Sequence, residues 1–396
     1  MSNETRPPDL DLDALLDNRE NRIIVCCGSG GVGKTTTAAA FALRAAERGR
    51  DVVVLTIDPA RRLAQSLGLT ELDNTPRPVE GIDGSAGGRL HAMMLDMKRT
   101  FDEIVLEHSD AGRAEQILSN PFYQSLSASF AGTQEYMAME KLGQLRRSDE
   151  WDLIVVDTPP SRSALDFLDA PERLGRFLDG RLIRLLTSPV KAGRPFGRML
   201  NAGFSMMTGA MTKVLGAQVL RDAQTFITAF DTMFGGFRER AEATYKLLQA
   251  PGTSFLVVAT PEPDALREAS YFVERLAEER MPLAGLLLNR VHSAGSCRLS
   301  AARSQAAAET LESISPNGPV AAASSGDYSV SANTAAAAAL RLHASRMNLG
   351  ERERRVAGSF MSTHPAVPVV EVPALPEDVH DLAGLRRVGE SFAVQG

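Results

Sequence analysis

Cysteine is nearly missing from this sequence: among 396 residues there are three, Cys26, Cys27 and Cys297. No C-x-x-C pair exists, which excludes a zinc site, a redox dithiol or an iron–sulfur cluster built within one chain. Cys26 and Cys27 are neighbours on a predicted strand, so their side chains should point to opposite faces as small buried groups. Long apolar runs are missing too. The uncharged run Met199 to Thr212 is too short and too polar to span a bilayer. The segment Met1–Asp17 is acidic and lacks the basic start and apolar stretch of a signal peptide, so the expected location is cytoplasmic. A net charge of −6 provides no basic footprint for nucleic acid. One local exception stands out: from Gly180 to Arg221 there are seven basic residues and no acid.

What is present is the composition of a globular protein, 44% apolar and 23% charged. Arg22 to Cys27 is a short apolar run ended by glycines, which reads as a buried strand. Lys34 to Arg48 follows as an Ala-rich helix stopped at Gly49, and Asp51–Ile57 is the next strand. This is a βαβ unit with parallel strands. Further strands are expected at Leu90–Met94, Leu153–Val156, Phe255–Ala259, Leu283–Leu288 and Val367–Val372. Strands alternating with helix-length segments predict an α/β fold with a doubly wound, mostly parallel sheet. The stretches 98–148 and 172–248 are helical in composition without good strands, so an inserted helical subdomain is expected there. Residues 313–333 are small, polar and turn-forming, which predicts a flexible loop.

Residues Gly28-Ser29-Gly30-Gly31-Val32-Gly33-Lys34-Thr35 match G-x-x-x-x-G-K-[ST] between a strand and a helix. The glycines let backbone N–H groups approach phosphates, and the helix starting near Lys34 points its positive end at the same anion. Lys34 is expected to reach the β- and γ-phosphates, Thr35 to ligate Mg²⁺, and Thr36 to complete the ATP contacts. Only six of the 43 basic residues are lysine. A lysine at position 34 therefore points to a need for a compact ammonium. Asp157 ends an apolar strand, as a carboxylate that helps hold Mg²⁺ does. Asp58 ends another, at the carboxyl end of parallel strands where ligands sit. It either orients the attacking water and touches the Mg²⁺ shell, or caps the following helix. The whole of 20–396 is then one nucleotide-binding domain carrying the insertions.

These motifs resemble the ArsA branch of the deviant-Walker-A ATPases, which also holds the targeting ATPase for tail-anchored membrane proteins. Five segments carry the likeness: GSGGVGKTTTAAAFAL from residue 28, TIDPA at 56–60, DTPPSRSALDFLDAP at 157–171, Leu288-Asn289-Arg290, and VPVVEVPALPEDVHDLAGL at 367–385. The resemblance implies that Asp58 belongs to a first switch and positions water, and that Asp157 opens a second. It implies that Asn289 bonds the adenine, that the segment near Pro373 lines the base pocket, and that dimers close on ATP while helical subdomains move. Departures are informative. Ser29 stands where the family usually has a signature lysine, and Ser161-Arg-Ser-Ala164 where it usually reads T-G-H-T. The metalloid-binding cysteines of the arsenite pump have no counterparts, which argues against arsenite transport.

The leading expectation is thus a dimeric ATPase that handles a client or membrane-associated partner, with ATP and Mg²⁺ as cofactors. A nucleotide-binding regulatory subunit and a ParA/MinD-like positioning ATPase are the alternatives. Ser29 favours a heterodimer with a lysine-bearing relative over a homodimer, unless Arg61, Arg62 or Arg162 supplies the missing cation. The stretch 180–221, with Phe196, Met199, Phe204, Met206, Met207 and Met211, is a candidate client or membrane contact, set against an ordinary helical core or dimer contact, since Met most often fills cores.

Overall fold

The computed structural model describes residues 8–58, 61–121, 123–124, 133–159, 239–292, 299–314 and 332–393. Eight strands form one sheet in the order β3-β4-β2-β5-β1-β6-β7-β8. At its centre β1 (Ile23–Cys27) pairs in parallel with β5 (Leu153–Asp157) on one side and β6 (Thr253–Ala259) on the other. All three are buried along their whole length, and strands covered on both faces read as continuous apolar runs. Outward lie β2 (Asp51–Thr56) and β4 (Arg89–Met94) on one flank, β7 (Leu283–Val291) and β8 (Val369–Pro373) on the other, again parallel. The exception is β3 (Arg77–Pro78), two residues antiparallel to β4. It was not expected, because two residues leave no periodicity to read.

Helices cover both faces. On one lie α1 (Leu12–Asp17), α2 (Lys34–Glu47), α3 (Arg62–Ser66) and a C-terminal helix (Leu382–Glu390); on the other are α4 (Met97–His108), α5 (Ala111–Leu118), α6 (Thr133–Ser148) and α7 (Pro263–Glu278), while α8 (Ala301–Ile314) packs on α9 (Ala332–Thr363), whose Ala357 and Phe360 join the same core. Cys26 belongs to the first core and Cys27 to the second, as their alternation on β1 required. Six alanines on α2 are buried, so that helix lies close on the sheet, and Gly49, at φ 86°, ends it.

The C-terminal helix, α10, is shorter than the span Glu377–Phe392 over which Val379, Leu382, Leu385, Val388 and Phe392 recur at helical spacing. Asp381 caps it by accepting from the Gly384 N–H at 2.7 Å, which fixes its start, and Pro376 lies ahead. It packs on α2 rather than directly on the sheet, with the rings of Phe41 and Phe392 at 4.6 Å. Of the expected loop 313–333, Ser313 and Ile314 end α8 and Ala332 and Asn333 begin α9; 315–331 lie outside the described residues. The expected insertion 98–148 holds α4, α5 and α6, whereas most of 172–248, and all of 180–221, lies outside them.

Candidate nucleotide site

The phosphate loop runs from the end of β1 to the start of α2. A Cβ on Gly28 would fall 2.1 Å from the Val258 carbonyl oxygen, and one on Gly33 would fall 2.3 Å from Asn289 Nδ2. Both have positive φ, 149° and 97°, so each end of the loop requires glycine. Helix α2 begins with Gly33 at its cap position, no side-chain cap bond and no acid in its first turn. By contrast α4, α5 and α10 are each capped by an aspartate. The first-turn N–H groups of α2 thus carry no side-chain cap, which suits an anion.

Lys34 is 5% exposed and donates to the Ser29 carbonyl at 2.7 Å. Burial pulls its pKa below the usual lysine range, opposed by the charges of Asp157 and Asp58. Asp157 is wholly buried. Its Oδ2 accepts from Thr35 Oγ1 at 2.8 Å and from Thr56 Oγ1 at 2.9 Å, while Oδ1 is buried with no hydrogen-bond partner among the described residues. Burial raises its pKa to about 6 against the pull of both hydroxyls and Lys34. A buried carboxylate oxygen without a donor, beside a threonine hydroxyl, fits a Mg²⁺ site. No cluster of three His, Cys, Asp or Glu able to hold a metal occurs among the described residues.

Asp58 follows β2, with its N–H on Thr56 Oγ1 at 3.2 Å. Helix α3 starts only at Arg62 with Arg61 as its N-cap residue, so Asp58 lies three residues ahead of the cap position. Asn289 Nδ2 donates to the Val32 carbonyl at 2.8 Å, which sets the end of β7 against the phosphate loop.

A cavity of about 320 Å³ opens beside the phosphate loop and Asp58, and neither Asp157 nor Asn289 lines it. Gly31, Gly33, Lys34, Thr35, Thr36 and Asp58 form one wall. Arg62, Gln65 and Ser66 of α3, Arg290, and Asp378 to His380 form the rest. Pro373 is not in that wall; it ends β8 opposite Val291. The segment following it, at 378–380, reaches the cavity instead. Of the three arginines considered against Ser29, Arg62 faces the cavity, Arg61 does not line it, and Arg162 lies outside the described residues together with Ser161 and Ala164. Gln65, Ser66, Arg290, Asp378 and His380 were not singled out by sequence. Three of these five sit inside motif segments quoted above, which was the available signal.

Among protein families, the ArsA ATPases, described as anion-transporting ATPases, match residues 21–317. The chain belongs to this family. It is similar to the protein named ATPase GET3 of Malassezia globosa, with 26% identity over 288 residues, 73% of this chain and 77% of that one. The namesake of Podospora anserina is 26% identical over 71% of this chain and 76% of its own. That of Ajellomyces dermatitidis is 26% identical over 76% and 83%. As an ArsA-family member the chain is an ATP-hydrolysing P-loop ATPase. ATPases of this kind typically use ATP with Mg²⁺ and generally function as dimers. No helix among the described residues is long and apolar enough to cross a membrane.

Proposed function

We propose that this ATPase is a cytoplasmic nucleotide-driven switch that works as a dimer and passes its state to a client or membrane-associated partner. One observation carries the reading. A single oxygen, Asp157 Oδ2, accepts from Thr35 of the phosphate loop and from Thr56 at the end of β2. The connection continues into the helices: the Leu95 N–H donates to the Thr56 carbonyl at 2.9 Å, and Asp96, next in the chain, caps α4 through the Arg99 N–H at 2.9 Å. Small shifts at such a junction become larger helix movements, because packed elements hold discrete arrangements and do not deform continuously.

Thr35, Asp157 and Asp58 would hold Mg²⁺, which when bound neutralises charge on the phosphates. Lys34 exchanges the Ser29 carbonyl for phosphate oxygens. Asp58 orients the attacking water. Asn289 bonds the adenine, and the chain from Pro373 to His380 closes over the base. The helices within 98–148 move on closure, and 180–221 is the proposed contact for the client or an anionic surface.

Ser29 carries no cation across a dimer, so we propose pairing with a relative that has lysine there; a homodimer is the alternative. Phosphate release and mass of the purified chain test this. Wild type should turn over slowly, Lys34→Ala not at all, and Ser29→Lys should accelerate a homodimer. Equal release by wild type and Lys34→Ala would overturn the switch, and a fully active homodimer indifferent to Ser29→Lys would overturn the pairing.

A further inference from the structure

Three described non-glycine residues have left-handed backbone: Asp149 at φ 53°, Arg280 at 55° and Arg290 at 59°. The first two have an ordinary cause. Asp149 follows the end of α6, and Arg280 follows Glu279, the cap of α7. Helices commonly stop in that conformation. Arg290 ends no helix. It sits within β7, where the pairing with β8 slips between Leu288 and Val291. Such bulges re-aim a side chain. An L-residue held there is disfavoured where glycine would not be.

The side chain turns over the lip of the phosphate loop. Arg290 Nη1 donates to the Gly31 carbonyl at 3.3 Å, and its backbone N–H donates to Asn289 Oδ1 at 2.9 Å. Asn289 is in turn fixed on Val32. Arg290 also lines the cavity that Lys34, Thr35 and Thr36 line. Two cations therefore rest on carbonyls of one loop, Lys34 on Ser29 and Arg290 on Gly31.

We propose that Arg290 binds the phosphates of the nucleotide held by its own chain, as a second cation beside Lys34. The proposal rests on reading this cavity as the ATP site. The Gly31 bond lies past the usual N–H···O range and ends on a neutral acceptor. A phosphate oxygen is charged, and such bonds are shorter and roughly twice as strong, so the exchange is downhill. The planar guanidinium can meet two phosphate oxygens at once. Arg290 is exposed, so packing does not account for a large residue in this conformation.

Arg290→Gly separates the roles, because glycine suits the backbone and removes the charge. Its melting temperature should equal or exceed wild type. Phosphate release should fall about 100-fold, the effect of losing one donor at developing charge. Mg–ATP affinity in equilibrium titration should weaken in the same variant, and Arg290→Lys should fall between. Wild-type turnover and affinity in Arg290→Gly would overturn the proposal. Should wild type and Lys34→Ala release phosphate equally, it is the ATPase reading that has failed. The affinities then decide: weakened Mg–ATP binding by Arg290→Gly upholds the contact, and unchanged binding removes it.

Discussion

The hydroxyl of the partly buried Thr35 donates to Oδ2 of the wholly buried Asp157 at 2.8 Å, which ties the first turn of α2 to the end of β5. The contact sets one carboxylate oxygen and leaves the other available to a cation. Asp157→Asn keeps an acceptor for Thr35 and Thr56 and removes the buried charge. The Mg²⁺ concentration needed for nucleotide binding should rise about 10- to 100-fold, the usual penalty for disturbing a metal's supporting groups. Melting should be unchanged or raised, since desolvation of the carboxylate is relieved. A Mg²⁺ titration of nucleotide binding, read beside a melting curve, checks both; an unaltered Mg²⁺ requirement would remove Asp157 from the site.

Three of the four loop glycines, Gly28, Gly31 and Gly33, should respond differently to alanine. At Gly28 the obstacle is the backbone of β6, 2.1 Å from the new Cβ, which cannot step aside. Gly28→Ala should cost about 3 kcal/mol in denaturant unfolding. At Gly33 the obstacle is the Asn289 side chain, which can move, so nucleotide affinity should suffer more than stability. Gly31→Ala meets nothing within 4 Å and carries only the penalty of its φ of 80°, about 1 kcal/mol. Equal stability losses at all three positions would contradict this ordering.

Much of this was legible in the sequence, for physical reasons that also mark the limit. Strands buried on both faces are apolar runs, so Ile23–Cys27 and Leu153–Asp157 were found within a residue or two. The phosphate loop is contiguous, so its pattern is readable without the fold. Arg77–Pro78 escaped because a charged residue and a proline form no pattern. Apolar spacing would extend the last helix back to Glu377, but the cap at Asp381 starts it later. Arg290, Asp378 and His380 reach the cavity because the sheet order carries β7 and the chain after β8 to the loop's side, and Gln65 because α3 follows β2 on the other flank. The left-handed backbone at Arg290 has no sequence signal at all, since glycine or asparagine would have been the residues to suggest it.

The docking of α1 depends on pH in a defined direction. Arg44 donates to both oxygens of Asp13 at 2.6 Å, and this holds the carboxyl below its ordinary range. An acid with a depressed folded pKa contributes stability above its unfolded value and loses it as pH falls through the folded one. Leu12 and Leu16 are buried beside the pair. Asp13→Asn should therefore cost about 1 kcal/mol at pH 7, with the difference from wild type shrinking as the pH falls below the ordinary aspartate range. Denaturant unfolding of both proteins at neutral and acid pH measures it; a gap that widens in acid would contradict the assignment.

The claim that nucleotide state reaches the helices through Asp157, Thr56 and Leu95 is tested most directly by hydrogen exchange across Met97–His108. Wild type is compared in Mg–ATP, in Mg–ADP and without nucleotide, with Lys34→Ala alongside. The account predicts that protection in α4 changes between ATP and ADP in wild type and stays constant in Lys34→Ala. Protection that is the same in all three states of the wild-type protein, while ATP is being bound and hydrolysed, would contradict it.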